Sequence, residues 1–166
     1  GVEADDVIGR LARKAEEAGI DVVISTGDKD LTQLVNARVH LINTMDDSIL
    51  DVEGVQNKFG VKPDLIVDFL TLVGDSVDNI PGVPKVGPKT AVKWLNEYGS
   101  LAGVVTHAND IKGKVGENLR AFLEQIPLTR RLVTIMTDID TGVDLDELVL
   151  HEVNAAGLIE LYENFE

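Results

Sequence analysis

The sequence predicts an α/β fold, in which a partial mixed or parallel sheet with flanking helices precedes a helical lobe carrying a helix-hairpin-helix. Two patterns lead to this expectation. Residues 4–43 alternate between helical and strand patterns, which is the order of an α/β sheet. From residue 51 onward, apolar residues recur at helical spacing, and a glycine- and proline-rich loop divides two of the helices. We therefore expect residues 1–50 to form part of an α/β core and residues 51–166 to form a helical lobe, with the helix-hairpin-helix at about 63–98. The two parts are expected to pack as one domain.

The first half of the chain supplies the sheet and its nearest helices. Apolar residues at helical spacing predict an amphipathic helix over residues 4–18, which Gly19 ends. Val22 to Ile24 form a short apolar run, so residues 21–26 are predicted to be a buried parallel strand. A short helix is expected after Gly27, and a second strand over Val39–Asn43.

The second half is predicted to be helical. Asp51 can cap a helix that stops at Gly60, and Pro63 can start the next, which continues to Val73. After the loop at residues 80–91, a helix resumes and ends at Gly99. The same periodicity predicts longer helices at roughly 115–136 and 154–165.

Composition limits the possible functions. The chain has no cysteine, which excludes disulfides, zinc thiolate sites and cysteine nucleophiles. No apolar run approaches the ~20 residues that span a bilayer, so we expect no membrane partner. The net charge of −14, with only 15 Lys and Arg, opposes nucleic-acid binding. That opposition is removed if bound cations neutralise the acids, or if the basic residues gather on one face.

Seven carboxylates fall in three tight clusters beside predicted element ends. They are Glu3, Asp5 and Asp6 in GVEADD, Asp28 and Asp30 in STGDKD, and Asp75 and Asp78 in GDSVDN. Helix capping is an alternative explanation for the first cluster, and turn chemistry for the second. Neither explains the third, because negative charge at a helix C-terminus is unfavourable. Clustered carboxylates are typical ligands of Mg²⁺, so the pattern predicts metal-dependent phosphate chemistry.

The loop IPGVPKVGPKTA, residues 80–91, is the most specific signal. A helix-hairpin-helix binds backbone phosphates through the free amides of a helix N-terminus, and glycine allows close backbone approach. Three lysines recur every four residues, which is a local basic stripe on an acidic chain. The candidate DNA-binding residues are Gly82, Val83, Lys85, Val86, Gly87, Lys89, Thr90 and Lys93. A tight helix–helix turn with solvated lysines is the alternative.

These four motifs, in this order, closely resemble the 5′-nuclease domain of bacterial DNA polymerases I, in the flap endonuclease family. The resemblance covers nearly the whole chain. It implies a 5′-3′ exonuclease or flap endonuclease that hydrolyses phosphodiester bonds of 5′-ended, nicked or branched DNA in replication and repair. It also implies polymerase domains in the same parent chain as partners, and a bacterial cytoplasmic, nucleoid-associated location.

The resemblance also implies roles for individual residues. Glu3, Asp5 and Asp6 correspond to acids serving a first divalent ion, Mg²⁺ or Mn²⁺, and the other four acids to those around a second. Asp6, Asp28, Asp30, Asp75 and Asp78 are the expected catalytic residues. In this scheme one ion activates the attacking water and the other stabilises the leaving oxygen. The hairpin is expected to hold duplex phosphates, and K⁺ on its carbonyls in some relatives.

The chain departs from the family pattern in two places. The family domain begins about a hundred residues earlier, with further metal-binding aspartates and a basic helical arch, so we expect this stretch to be inactive alone. Lys85 stands where the hairpin often has glycine. Its side chain either blocks close backbone approach or adds a phosphate contact.

Two other functions fit parts of the sequence. The segment Asp28 to Thr32 also fits the nucleophile motif of haloacid-dehalogenase-type phosphatases, although the helical pattern of residues 63–73 and the hairpin do not. A non-catalytic DNA-binding module is the second alternative. It predicts DNA affinity that is independent of chelators and of the acids.

Overall fold

The computed structural model describes residues 2–43, 45, 47–150 and 152–165. Its helices and strands follow the predicted change from α/β to helical character. The α-helices are α1 (Ala4–Glu17), α2 (Val52–Phe59), α3 (Ile66–Val73), α4 (Pro88–Tyr98), α5 (Leu101–Thr106), α6 (Gly113–Phe122), α7 (Ile126–Val133) and α8 (Ala155–Glu163). The strands are β1 (Val22–Ser25), β2 (Val39–Asn43), β3 (Ser48–Leu50), β4 (Gly74–Asp75) and β5 (Ile80–Pro81). Short 3₁₀ helices cover Asp30–Leu34, Pro63–Leu65 and Leu145–Glu147.

The larger sheet has the order β1-β2-β3 and is mixed, as the sequence predicts. Strands β1 and β2 run parallel with Val22 opposite Val39, and β2 and β3 run antiparallel with Leu41 opposite Leu50. Strand β3 was not predicted from the sequence. Three residues are too few for a period-two pattern to stand out.

Strand β1 confirms the predicted parallel strand, but the prediction that this strand is buried is wrong. Ile24 is buried, but Val23 on the opposite face of β1 is 60% exposed, and Ile49 of β3 is 62% exposed. Successive side chains of a strand point to opposite faces. The described elements therefore cover only the face of the sheet that carries Ile24 and Leu41.

The predicted helix over residues 115–136 is also wrong, because the chain breaks it into α6 and α7. Pro127 lies in the first turn of α7. Proline has no N–H to donate, and its ring clashes with the carbonyl four residues earlier, so an uninterrupted helix cannot pass through this position. Helix α5 was not predicted from the sequence; its N-cap residue is Ser100, whose side chain accepts a hydrogen bond from the Gly103 amide.

Helix α3 lies at the centre of the helical lobe. Ile66, Leu70 and Leu72 are buried, and so is Asp68. The Asp68 carboxylate accepts a hydrogen bond of 2.8 Å from the Leu101 amide and pairs with Arg130 at 3.2 Å. This carboxylate therefore links α3 to α5 and α7.

Strands β4 and β5 form a small antiparallel ribbon at the end of α3, with Gly74 opposite Pro81 and Asp75 opposite Ile80. Gly74 has φ +76°, and a Cβ at Gly74 or Gly82 would overlap the backbone of the other segment. Only glycine allows this approach. The crossing fixes Asp75 next to the start of the hairpin.

Within the described part of the chain, no helix has both the length and the apolar character that crossing a bilayer requires.

Candidate metal centre and nucleic-acid interface

The three acidic clusters meet in one cleft of about 480 Å³. Helix α1, the end of β1 and the β4–β5 ribbon each bring acids to it. The cleft is lined by Glu3, Asp5, Asp6, Asp28, Asp30, Asp78, Asn79, Ile80, Leu132, Val133, Thr134 and Ile135. Asp75, the seventh predicted acid, is buried beneath the others and is not exposed in this cleft.

The first cluster lies at the N-terminus of α1, where it also caps the helix. The Asp6 carboxylate accepts hydrogen bonds from the Glu3 amide at 3.3 Å and the Met136 amide at 2.9 Å. Both of its oxygens therefore have backbone donors. Glu3 is the other member of this capping box, whereas Asp5 lines the cleft without a capping role. Burial raises the pKa of Asp5, and the nearby carboxylates, Asp28 first among them, raise it further.

The second cluster follows β1. The Asp28 amide donates to Thr26 Oγ1 at 3.0 Å, and Asp28 Oδ1 accepts from the Asp30 amide at 2.9 Å, which turns the chain at the strand end. Asp28 is exposed, whereas Asp30 Oδ1 is buried with no hydrogen-bond donor in reach among the described residues. Burial raises the pKa of Asp30 from 3.8 to about 6, with further contributions from neighbouring carboxylates.

The third cluster lies on and after β4. The Asp75 side chain is 2% exposed, and its Oδ1 accepts from the Val77 amide at 2.8 Å. Its Oδ2 accepts a hydrogen bond from Lys29 Nζ. Burial acts against the Asp75 charge, but hydrogen bonds from Lys29 and the backbone outweigh it and hold the pKa below its ordinary value. Asp78 is exposed.

Asp30, Asp75 and Asp78 have the geometry of a metal site. One carboxylate oxygen from each lies within 4.8 Å of the other two. The buried, unpartnered Oδ1 of Asp30 is an oxygen that a cation would satisfy, and the all-carboxylate donor set suits a hard divalent ion. In the described ranges no second set of three acids is as close, so Glu3, Asp5, Asp6 and Asp28 share the cleft without forming such a set.

Two features of the site were not predicted from the sequence. The first is Lys29, whose ammonium pairs with Asp75 and lies 4.0 Å from Asp30, and its position between two aspartates in the sequence was a visible signal. The second feature is a strap of residues 133–137 that closes one side. Gln33 donates to the Val133 carbonyl and accepts from the Ile135 amide, both at 3.0 Å. No local pattern indicates this contact between residues a hundred positions apart.

The predicted DNA-binding residues differ in what they can present to a ligand. Val83 and Val86 are buried, so only their backbones are available. Gly82 is explained by its contact with the backbone at Val73 and Gly74. A Cβ at Gly87, the residue before α4, would meet no atom within 4 Å, and no side chain caps that helix.

The three lysines of the hairpin, Lys85, Lys89 and Lys93, are exposed, and Thr90 is half-buried. Lys85 has φ +67°, the left-handed conformation in which glycine is usual. The hairpin therefore adopts the glycine-type backbone at this position and carries a cationic side chain as well.

Two family models together match residues 1–156. The model described as 5′-3′ exonuclease, N-terminal resolvase-like domain, matches residues 1–60, and that described as 5′-3′ exonuclease, C-terminal SAM fold, matches residues 61–156. The chain belongs to the 5′-3′ exonuclease family. This confirms the resemblance drawn from the four motifs and disfavours the phosphatase reading. In agreement, Asp75 lies on the β4–β5 ribbon, outside the parallel sheet that a dehalogenase-type site uses.

Curated relatives of the chain include whole polymerases and shorter exonucleases. The chain is 49% identical to the DNA polymerase I of Pseudomonas aeruginosa, with 100% of the chain and 19% of that protein covered. It is 44% identical to the 5′-3′ exonuclease of Aquifex aeolicus, with 89% of the chain and 50% of the relative covered. The chain thus spans a fifth to a half of these relatives.

Solved structures support the fold of this exonuclease family member. The bacteriophage T5 5′-exonuclease with bound zinc matches 82% of the chain and 51% of the T5 protein, at a TM-score of 0.75 and 23% identity. A T5 flap endonuclease pseudo-enzyme–product complex with DNA and metal ions matches with a TM-score of 0.76 and 22% identity, over 82% of the chain and 51% of the T5 protein.

Proposed function

We propose that this chain supplies the carboxylate centre and the duplex-binding hairpin of a metal-dependent, structure-specific 5′ nuclease. The substrate is 5′-ended, nicked or flapped DNA, as expected in replication and repair. One observation carries the proposal: acids from three distant segments line one cleft, and the glycine crossing at Gly74 and Gly82 joins that cleft to the hairpin. Family membership and the DNA-bound T5 structure support it.

The carboxylates of the cleft would bind two divalent ions. Asp30, Asp75 and Asp78 would hold one divalent ion, for which we propose Mg²⁺ or Mn²⁺ because all the donors are carboxylate oxygens. Glu3, Asp5 and Asp6, the acids expected from the sequence to serve a separate ion, would do so in the same cleft, together with Asp28. Bound there, the ions would lower the pKa of an attacking water and stabilise the leaving oxygen.

The hairpin would position the duplex. Its exposed lysines and the N-terminus of α4, which no side chain caps, suit phosphate oxygens, and contacts to these oxygens carry no sequence information. This fits an enzyme that selects DNA by structure. The polymerase relatives support polymerase domains in the same parent chain as partners. We also propose a bacterial cytoplasmic location, which the absence of cysteine suits.

The test compares Asp75→Asn and Asp78→Asn in the full-length protein that contains this chain. We expect cleavage of a 5′-flapped oligonucleotide in Mg²⁺ to fall by about a hundredfold or more, because charge stabilisation at the reacting phosphate is lost. DNA affinity, measured by fluorescence anisotropy in Ca²⁺, should stay within about threefold, because the phosphate contacts come from the hairpin.

Asp64→Asn is the matched control, since Asp64 is exposed on the Pro63–Leu65 turn and does not line the cleft. It should cleave like the unaltered protein. Normal cleavage by both Asp75→Asn and Asp78→Asn would overturn the metal assignment. Chelator-independent DNA binding with no cleavage by the unaltered protein would favour a non-catalytic binding module.

A further inference from the structure

The positively charged ammonium of Lys29 lies beside the acids of the proposed metal site. Its Nζ donates a hydrogen bond to Asp75 Oδ2 and lies 4.0 Å from Asp30 Oδ1. The lysine side chain is 41% exposed, whereas the carboxylates of Asp75 and Asp30 are 2% and 14% exposed. The lysine side chain is therefore more exposed than either of the two acids with which it pairs.

The Lys29 ammonium donates a hydrogen bond to Asp75 but not to Asp30. Asp75 has both oxygens engaged, one by Lys29 and one by the Val77 amide. Asp30 Oδ1 is buried without a hydrogen bond, because 4.0 Å is beyond hydrogen-bond range. A divalent ion that used Asp75 Oδ2 and Asp30 Oδ1 together would compete with the lysine for the first oxygen.

The backbone of Lys29 is held in place, whereas its side chain lies beside open space. The Lys29 carbonyl accepts hydrogen bonds from the hydroxyl and the amide of Thr32, which is fully buried, so the lysine backbone is anchored. Its side chain borders a groove of about 260 Å³, with Phe69, Gly74 and Pro88 among its other lining residues. This groove gives a displaced side chain room to turn away from the acids.

We propose that Lys29 is a tethered counter-ion: its ammonium neutralises Asp75 in the metal-free protein, and a divalent ion must displace it to bind Asp30, Asp75 and Asp78. The inference rests on the metal site in the proposed function. Lys29 keeps the acids together when no metal is bound. It also weakens metal binding, because part of the binding free energy is used to break the ion pair.

Isothermal titration of the purified protein with Mn²⁺ alone, at fixed pH and without DNA, tests this exchange. Asp78→Asn identifies which binding step belongs to this group of acids. In Lys29→Met we expect that step to become about tenfold tighter, because a competing cation has been removed. Lys29→Arg retains the charge and should bind Mn²⁺ like the unaltered protein.

Thermal unfolding in EDTA gives a second readout that does not depend on activity. The midpoint of Lys29→Met should fall, because the carboxylates of Asp75 and Asp30 are left without their counter-ion. Lys62→Met is the control, since Lys62 is an exposed lysine outside the cleft, and should change neither measurement. Lys29→Gln can still donate a hydrogen bond to Asp75. It tests the charge alone and covers the case in which Lys29→Met does not fold.

The outcomes separate the two proposals. If the unaltered protein binds Mn²⁺ and the uncharged Lys29 variants bind it with equal or weaker affinity, the counter-ion role is overturned and the metal site stands. If the unaltered protein does not bind Mn²⁺ at all, the metal site is wrong and the role of Lys29 is wrong with it.

Discussion

Asp30 is surrounded by the carboxylates of Asp28, Asp75 and Asp78, with the Lys29 ammonium on one side. Its side chain is 14% exposed, and burial is the main reason that its pKa rises to about 6. The carboxyl group ionises at lower pH in the unfolded chain than in the folded one. Between about pH 4 and 6 the folded state therefore binds more protons, and this group's contribution to stability falls as the pH rises.

Asp30→Asn should remove that contribution. In EDTA at pH 7 we expect the variant to be more stable than the unaltered protein by about 1 kcal/mol, since solvent in the cleft screens part of the repulsion. The difference should shrink as the pH is lowered to 4. Urea unfolding at pH 4, 5, 6 and 7 measures it, with Asp64→Asn as the exposed control. A stability difference that does not change with pH would contradict this assignment.

Among the secondary-structure elements of the hairpin, two glycines, Gly82 and Gly87, are present for different physical reasons. Gly82 lies against the Val73 carbonyl, where the β4–β5 ribbon leaves no room for a Cβ. A Cβ at Gly87 would meet no atom within 4 Å, and the Gly87 φ of −106° is one that any residue adopts. One glycine is thus required by packing, and the other is free to serve a ligand.

Gly82→Ala and Gly87→Ala should consequently separate stability from binding. Gly82→Ala should lower the free energy of unfolding by about 3 kcal/mol, because the backbone must shift to admit the methyl group. Gly87→Ala should lower it by less than about 1 kcal/mol, because alanine is a poorer N-cap residue than glycine, and should weaken duplex DNA binding about fivefold, because phosphate approach is hindered. Denaturant unfolding and fluorescence anisotropy measure the two effects. Equal stability losses in the two variants would contradict the distinction.

At the scale of the whole molecule, the strap of residues 133–137 joins the helical lobe to the first 60 residues. Gln33 bonds to Val133 and Ile135, and Asp6 bonds to Met136. A Cβ at Gly9 would come within 2.6 Å of the Ile135 side chain, so α1 and the strap are in close contact. The two parts matched by separate family models therefore share one cleft wall.

Gln33→Ala should lower the free energy of unfolding by about 2 kcal/mol, because two backbone groups of the strap lose their partners. Gln56→Ala, at an exposed position on α2, is the control and should have little effect. Urea unfolding followed by circular dichroism provides the measurement. If Gln33→Ala matched the control, the strap would not contribute to holding the two parts together.

The features predicted correctly from the sequence depend on neighbours in the chain. Asp51 caps α2, Gly60 and Gly99 end helices, and apolar spacing located α1 and α3, because capping and periodicity act over a few residues. The acid clusters and the hairpin were recognised for the same reason. Strand β3 was not predicted because its three residues carry too weak a pattern. The break between α6 and α7 was not predicted because helical spacing continues across Pro127.

What the sequence determined by itself was thus the type and order of the elements and the chemical groups at their ends. Only the tertiary structure decided that acids from three segments meet in one cleft, that Lys29 pairs with Asp75, and that the strap closes over Gln33. These contacts join residues 46 to 100 positions apart. Their existence depends on how the packed elements bring distant segments together, which no local pattern encodes.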